Sequence, residues 1–308
     1  MTYPYAPGVP DYSSTGASKF IPQIWAGKTI IKFYNECFIP QITNSDYEGE
    51  IKNQGDTVII RGIGNATIFD MPLGGTITYS RRTGTPVTLL IDKGKGWAEV
   101  FNDVLKVQTD LPLLNKYTDD AAHQLKEAIE EAFLTDSTIY NGMHARNTGT
   151  TAGAKSLSFD LGTTGAPEQI TDANVLDYII DCGTVLDEQN VPKTGRWFVI
   201  PTWMAGLIKK SDLKDVSLTG DKTSVLRGAP LGMIDHFVLY ESNLLNHSTT
   251  TYYHALFGTK EAITFATQLN KSETLRSQDE FADLVRMLQV YGYKVVKPEA
   301  FGALICYK

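Results

Sequence analysis

The sequence is 308 residues long with a net charge of −7, enough chain to bury a sizeable core in two lobes. The acidic balance excludes a dedicated nucleic-acid binder, which needs an excess of Lys and Arg to displace counterions from phosphate. Cys37, Cys182 and Cys306 are scattered and odd in number, which excludes a disulfide framework and a C-x-x-C site, and no apolar run approaches the ~18 residues of a membrane span. A reducing compartment, no signal peptide and no membrane partner are the expectations.

Residues 1–19, rich in Pro, Tyr, Ser, Gly and Thr, read as an extended arm that another surface must hold. Ile24, Trp25, Thr29 and Lys32 then point to a short amphipathic helix between Pro22 and Pro40. Residues 47–108 read as β. Strands over Asp56–Arg61, Thr76–Tyr79 and Val87–Ile91 make a long hairpin excursion, with Gly62, Gly64, Gly84, Gly94 and Gly96 in its turns. Arg81 and Arg82 in its middle face solvent or a neighbouring subunit's carboxylates.

Residues 110–140 carry the clearest helical period. Leu114, Tyr117, Ala121, Leu125, Ala128 and Ala132 form one apolar stripe, and Glu127, Glu130 and Glu131 fall on the opposite, solvated face. Asp110 caps the start, Pro112 sits in the first turn and Asn141-Gly142 ends the helix, giving a spine ~45 Å long. Residues 143–170 read as a loop or lobe boundary. Thr171-Asp172 caps a second helix with Val175, Ile179, Cys182 and Leu186 on one face. A turn over Asn190–Gly195 leads to a buried strand, Arg196–Ile200, then Pro201 and a short helix. After the charged loop Lys209–Thr223, a glycine-proline turn feeds another buried strand that contains His236. Tyr252–Phe257, Ala262–Ala266, Leu284–Val296 and Ala303–Tyr307 are further strands, and Thr274–Phe281 is a polar stretch. The class is α+β.

Catalytic signatures are missing. Gly27-Lys28-Thr29 has the tail of a phosphate-binding loop, but Pro22 stands where that motif needs glycine. Gly62-Ile63-Gly64 and Gly94-Lys95-Gly96 lack the third glycine and following helix of a dinucleotide fingerprint. No G-x-S-x-G elbow occurs, and none of His123, His144, His236, His247 and His254 has a second His or Cys at metal-ligand spacing. No cofactor or metal is expected.

The order of the pieces carries a resemblance. The arm leads to Phe20-Ile21-Pro22-Gln23-Ile24-Trp25, then Asp46–Ile51, Gly55–Ile60, the β excursion, the spine helix, the 196–245 stretch and Glu273–Arg276 through Phe301–Ala303. In that order the chain resembles the major capsid (coat) protein family of tailed bacteriophages, with the Hong Kong 97-like fold. The resemblance implies an N-terminal arm (1–46), an extended loop (47–98) that lies over a neighbour, a peripheral domain (99–167 and 269–295) and an axial domain (168–268 and 296–308). One departure is Asp235-His236-Phe237, where family members commonly carry glycine before the aromatic residue.

The function implied is structural, not enzymatic: hexamers and pentamers forming an icosahedral shell around double-stranded DNA, located in the virion and assembled in the host cytoplasm. A separate scaffolding protein, a portal and a decoration protein are the implied partners, with DNA met by non-specific proximity. Candidate intersubunit residues are Arg81, Arg82, Lys93, Lys95, Glu127, Glu130, Glu131, Lys209, Lys210, Asp212, Lys214 and Asp215. The 209–223 loop would meet its symmetry mates at the capsomer axis. Two other readings compete: an encapsulin-like nanocompartment shell, and a small-molecule-binding or enzymatic α/β protein resting only on mixed α/β patterning.

Overall fold

The computed structural model describes residues 34, 35, 37–46, 57–71, 73–77, 79–103, 113–211, 232–247 and 252–308. The arm over 1–19, the helix expected around Ile24–Lys32, Asp110, Pro112 and most of the Lys209–Thr223 loop lie outside the described residues. In chain order the elements are a single helical turn α1 (Ile39–Ile42), β1 (Thr57–Ile60), β2 (Val87–Leu90), β3 (Lys93–Asn102), the spine helix α2 (Leu113–Thr135), α3 (Ser137–Asn141), β4 (Glu168–Gln169) and α4 (Val175–Glu188). There follow β5 (Arg196–Ile200), α5 (Thr202–Lys210), β6 (Met233–Ile234), β7 (Phe237–Glu241), β8 (Tyr253–Thr259), β9 (Ile263–Arg276), β10 (Ala282–Val295) and β11 (Phe301–Tyr307).

Two sheets organise these pieces: a six-stranded sheet in the order β4-β11-β8-β5-β7-β6 and a three-stranded sheet in the order β3-β10-β9. β5 sits inside the larger sheet, parallel to β7 and antiparallel to β8, and all five of its residues are buried. That is why it reads as a continuous apolar run instead of an alternation. Phe198 meets Phe237 and Phe257 at ring-centroid distances of 5.6 and 5.8 Å. Ile179, Cys182 and Leu186 of α4 and Met204 and Ile208 of α5 join the same core with no exposed surface. β6 and β7 are joined by two residues with positive φ, Asp235 at 44° and His236 at 67°, while Ile234 pairs with Phe237. This is the geometry of a tight type I′ hairpin. His236 is therefore exposed at a turn, not held inside a strand.

The three-stranded sheet corrects one expectation and completes a reading left open. Gly94 and Gly96 are not turn residues: β3 pairs with β10 along its whole length, from Lys93↔Tyr291 to Asn102↔Ala282. A Cβ on Gly96 would stand 2.5 Å from the Met287 carbonyl oxygen, so glycine serves close backbone approach at that point. The polar stretch beginning at Thr274 is also strand through Arg276, because its charges pair across the exposed face of the sheet. Glu273 lies opposite Arg286 and accepts from its Nη2 at 2.6 Å, and Arg276 bonds Asp283 at 3.0 Å and also Asp103.

The described α2 runs 23 residues, roughly 35 Å, and ends at Thr135, five residues before the expected end at 140. Ala121, Leu125, Ile129 and Phe133 form a buried i, i+4 row, with Leu134 buried beside it. Ala128 and Ala132 are only half-buried beneath the small sheet, and Tyr117 is exposed. The helix stops at Asp136, whose carboxylate caps α3 by accepting from the Thr138 N–H at 2.8 Å. The same carboxylate accepts from Tyr293 Oη on β10 at 2.6 Å and from Lys93 Nζ on β3 at 2.9 Å. Burial works against its charge, but hydrogen bonds from Tyr293, Thr138 and Lys93 outweigh it and hold the carboxyl well below the usual range. A depressed native pKa contributes stability above the unfolded value near 4 that is lost as pH falls. Asp136→Asn is expected to cost about 2 kcal/mol at pH 7, with the difference from wild type shrinking but not vanishing by pH 2, because the native carboxyl is still partly ionised there; urea unfolding at the two pH values reads it.

The 143–170 stretch is irregular but not a linker. Asn147 is fully buried, and its amide donates to the carbonyls of Glu299 at 2.7 Å and Phe301 at 2.9 Å, fastening the stretch to the start of β11.

Candidate functional site

The excursion between β1 and β2 is the part of the described chain least able to satisfy itself. At its root the two strands pair in register from Thr57↔Leu90 to Ile60↔Val87. Val58, Ile60, Leu89, Ile91 and Ala266 form a small separate core there. Beyond the root, the described residues of 61–86 form no strand, and the strand expected at Thr76–Tyr79 is not made by 76, 77 and 79. The two legs still run close together: a Cβ on Gly62 would lie 2.6 Å from the Thr85 carbonyl oxygen, and one on Gly84 would lie 1.8 Å from that of Gly62. Only glycine permits that approach. The apolar side chains beyond pack little or only partly on the described residues. Ile63, Ile68, Leu73 and Tyr79 are between 89% and 109% exposed, and Phe69, Met71 and Ile77 are about half exposed. Single exposed apolar residues are ordinary, but a run of this kind marks an interaction surface. Arg81 and Arg82 are exposed on the return leg.

The other candidate residues separate. Lys93 and Lys95 are not on the excursion but on β3, and both reach the spine helix region of their own subunit. Lys93 binds Asp136, and Lys95 donates to the Ala128 carbonyl at 2.6 Å. Glu127 and Glu130 do not lie on a solvated face. Glu127 accepts from Asn35 Nδ2 at 2.6 Å, and Glu130 is fully buried, accepting from the Phe38 N–H at 2.8 Å. The cause is a crossing segment, residues 34–44, that covers this side of α2; nothing in the helix's own periodicity announces it. Glu131 is exposed. Lys209, at the end of α5, stands 3.8 Å from Glu241, and Lys210 is exposed. Asp212, Lys214 and Asp215 lie outside the described residues.

Sequence reasoning passed over two structural centres, Asp136 and Arg196, and misread a third, Glu130. Asp136 carried a legible signal, an Asp before Ser137-Thr138 that reads as a helix cap. Arg196 and Glu130 carried none. Arg196, 1% exposed, donates to the carbonyls of Pro192, Gly183 and Val191 and to Asp187 at 2.6 Å. Burial opposes the Asp187 charge, but hydrogen bonds from Lys193 and Arg196 prevail and lower its pKa.

The titratable groups offer little reactivity. Desolvation pushes the thiol of Cys37 up to about 11 and that of Cys306 to about 12, and raises Cys182 well above its ordinary value. Buried His254 is pushed down to about 4 by the same effect. Among the described residues no group of three or more His, Cys, Asp or Glu could hold a metal ion, and no helix is long and apolar enough to cross a membrane.

No protein-family model matches the chain, and no curated protein is similar to it in sequence. Solved structures are similar in fold. One from Mycobacterium phage Che8 is 26% identical with a TM-score of 0.76, covering 92% of this chain and 96% of that one. The capsid structure of cyanophage P-SCSP1u is 13% identical with a TM-score of 0.72, covering 96% of each chain. The mature capsid of bacteriophage PhiM1 is 13% identical with a TM-score of 0.66 and 98% coverage of both. These similarities run nearly end to end, so the likeness is to whole chains and not to a shared subdomain. The chain has the Hong Kong 97-like fold of the tailed-bacteriophage major capsid proteins, a family of structural shell subunits.

Proposed function

We propose that this chain is the shell-forming subunit of a tailed-phage capsid, arranged as hexamers and pentamers around double-stranded DNA. The observation that carries the reading is the end-to-end agreement of its fold with capsid chains. The unsatisfied excursion supports it, since a loop that exposes Ile63, Ile68 and Leu73 gains by lying across a neighbouring copy, and obligate interfaces of that sort exceed ~2,000 Å² in total. The assembled shell belongs to the virion and forms in the host cytoplasm, with a separate scaffolding protein, a portal and a decoration protein as the partners implied by the family resemblance. DNA is met without sequence recognition, in keeping with the net charge of −7.

Within the subunit, residues 1–46 serve as the arm. The extended loop ends at residue 92 in this proposal, since Lys93–Asn102 is sheet. The small sheet and α2 make the peripheral domain and the six-stranded sheet the axial domain. The change from axial to peripheral at 268/269 is supported by a β-bulge there, where Val290 pairs with Leu269 but Tyr291 pairs with Thr267. Arg81, Arg82 and Glu131 meet neighbours, and Lys209, Lys210 and the 212–215 charges meet symmetry mates at the capsomer axis. Electron microscopy of the chain coexpressed with its scaffold is expected to give closed shells; a dispersed monomer at high concentration overturns the reading.

A further inference from the structure

Residues 34–44 form a strap across one side of the subunit. At one end Asn44 is stitched to β9: its N–H donates to the Ile263 carbonyl at 2.8 Å, and its carbonyl accepts from the Phe265 N–H at 2.9 Å. At the other end the strap lies along α2, held by three acidic side chains seven and three residues apart. Asp120 accepts from Tyr34 Oη, Glu127 from Asn35 Nδ2 at 2.6 Å, and Glu130 from the Phe38 N–H at 2.8 Å. The three are not equivalent. Glu130 is fully buried, and while its Oε2 takes the Phe38 N–H, its Oε1 has no hydrogen-bond partner among the described residues. A buried carboxylate oxygen without a donor is costly when charged and inexpensive when protonated.

We propose that the strap is a proton-operated latch: protonated Glu130 closes Phe38 and its neighbours onto α2, and loss of that proton opens the strap's N-terminal half. The surroundings favour this. Glu130 borders a cavity of about 660 Å³ between the strap, α2 and the small sheet, through which water reaches the carboxyl when the strap lifts. The groups that face this region from α2 are His123, Lys126 and Glu127, and from the strap Tyr34 and Cys37. β9 and β10 contribute only uncharged walls at Phe265, Thr267 and Gln289. Burial raises the Glu130 pKa, and the nearby Glu127 charge adds to it. The N–H groups of Phe38 and Ile39 and the Cys37 thiol pull the other way, and the balance stands at about 7.

The sign follows from linkage. The closed strap binds its proton more tightly than the opened, hydrated one, so closure is strongest in acid and weakens as pH rises through about 7. The inference does not rest on shell formation and is read on the unassembled full-length chain.

Hydrogen exchange of the peptide covering residues 34–44, corrected for the intrinsic rise of chemical exchange with pH, tests it. Opening is expected to increase on the order of fiftyfold between pH 5 and pH 8. Glu130→Gln, which keeps the acceptor for Phe38 but does not ionise, is expected to hold protection flat across that range. Glu127→Gln is expected to keep the wild-type pH profile. A flat wild-type profile overturns the latch, as does an unchanged titration in Glu130→Gln, and a profile abolished by Glu127→Gln instead assigns the proton elsewhere and overturns it too.

Discussion

Replacing Ile63, Ile68 and Leu73 together by serine is expected to abolish particle formation and leave the subunit's melting temperature unchanged. All three lie at 89% exposure or more, so the isolated subunit gains nothing from them. Burial against a neighbour is worth about 1.5–3 kcal/mol for each such side chain, so the triple change removes roughly 5–9 kcal/mol from every contact the excursion makes. That is a loss of more than a thousandfold in association constant at each contact, repeated around the shell. Sedimentation of the coexpressed products should show wild-type shells and a slow, soluble mutant species. Shells at wild-type yield would mean that the excursion does not lie on a neighbour.

Arg196→Ala is expected to be the most damaging single change within the subunit, at about 3–5 kcal/mol and a fall in Tm of roughly 10 °C. The guanidinium is the only described donor reaching the three carbonyls of Gly183, Val191 and Pro192 together, and it ties the end of α4, the Asn190–Gly195 turn and the start of β5 to one point. Its removal strands those acceptors and leaves a gap at the edge of the main core. The Asp187 side of the network matters less, because that carboxylate is about a third exposed and water can replace the arginine. Asp187→Asn should therefore cost well under half as much as Arg196→Ala in thermal unfolding. Equal costs would show that the ion pair, and not the carbonyl cradle, is the important part.

Much of the fold was legible because burial and period agree in it. β5, β7, β8, β10 and β11 stand where apolar runs predict strands, and α4 stands where a 3.6-residue period predicts a helix, although its N-cap is Asn174 and not the expected Thr171-Asp172. The failures share a cause. Gly94 and Gly96 have the composition of a turn but sit where two backbones touch. Lys271, Glu273 and Arg276 have the composition of a loop but pair across an open sheet face. Glu130 has the pattern of a solvated residue, but a segment 92 residues earlier covers it. Each is decided by a partner distant in sequence, and local propensity carries no information about such a partner. The candidate assembly surfaces divided in the same way. The excursion's apolar exposure follows from its own residues, whereas the fate of Lys93, Lys95 and Glu127 depended on what packed beside them.

The spine helix is fastened along its length. The strap grips it at Asp120, Glu127 and Glu130, and the Asp136 carboxylate ties its C-terminal end to Tyr293 and Lys93. Only Ile91 and Asp92 separate Lys93 from the last residue of β2, where the excursion returns to the body. Mechanically, α2 is then a strut between the two segments that reach outward. Tension on the strap travels along a stiff rod to the excursion's root without crossing the six-stranded sheet. If the strap and the excursion each meet a neighbour, as proposed, a pull by one neighbour is delivered to the contact with the other.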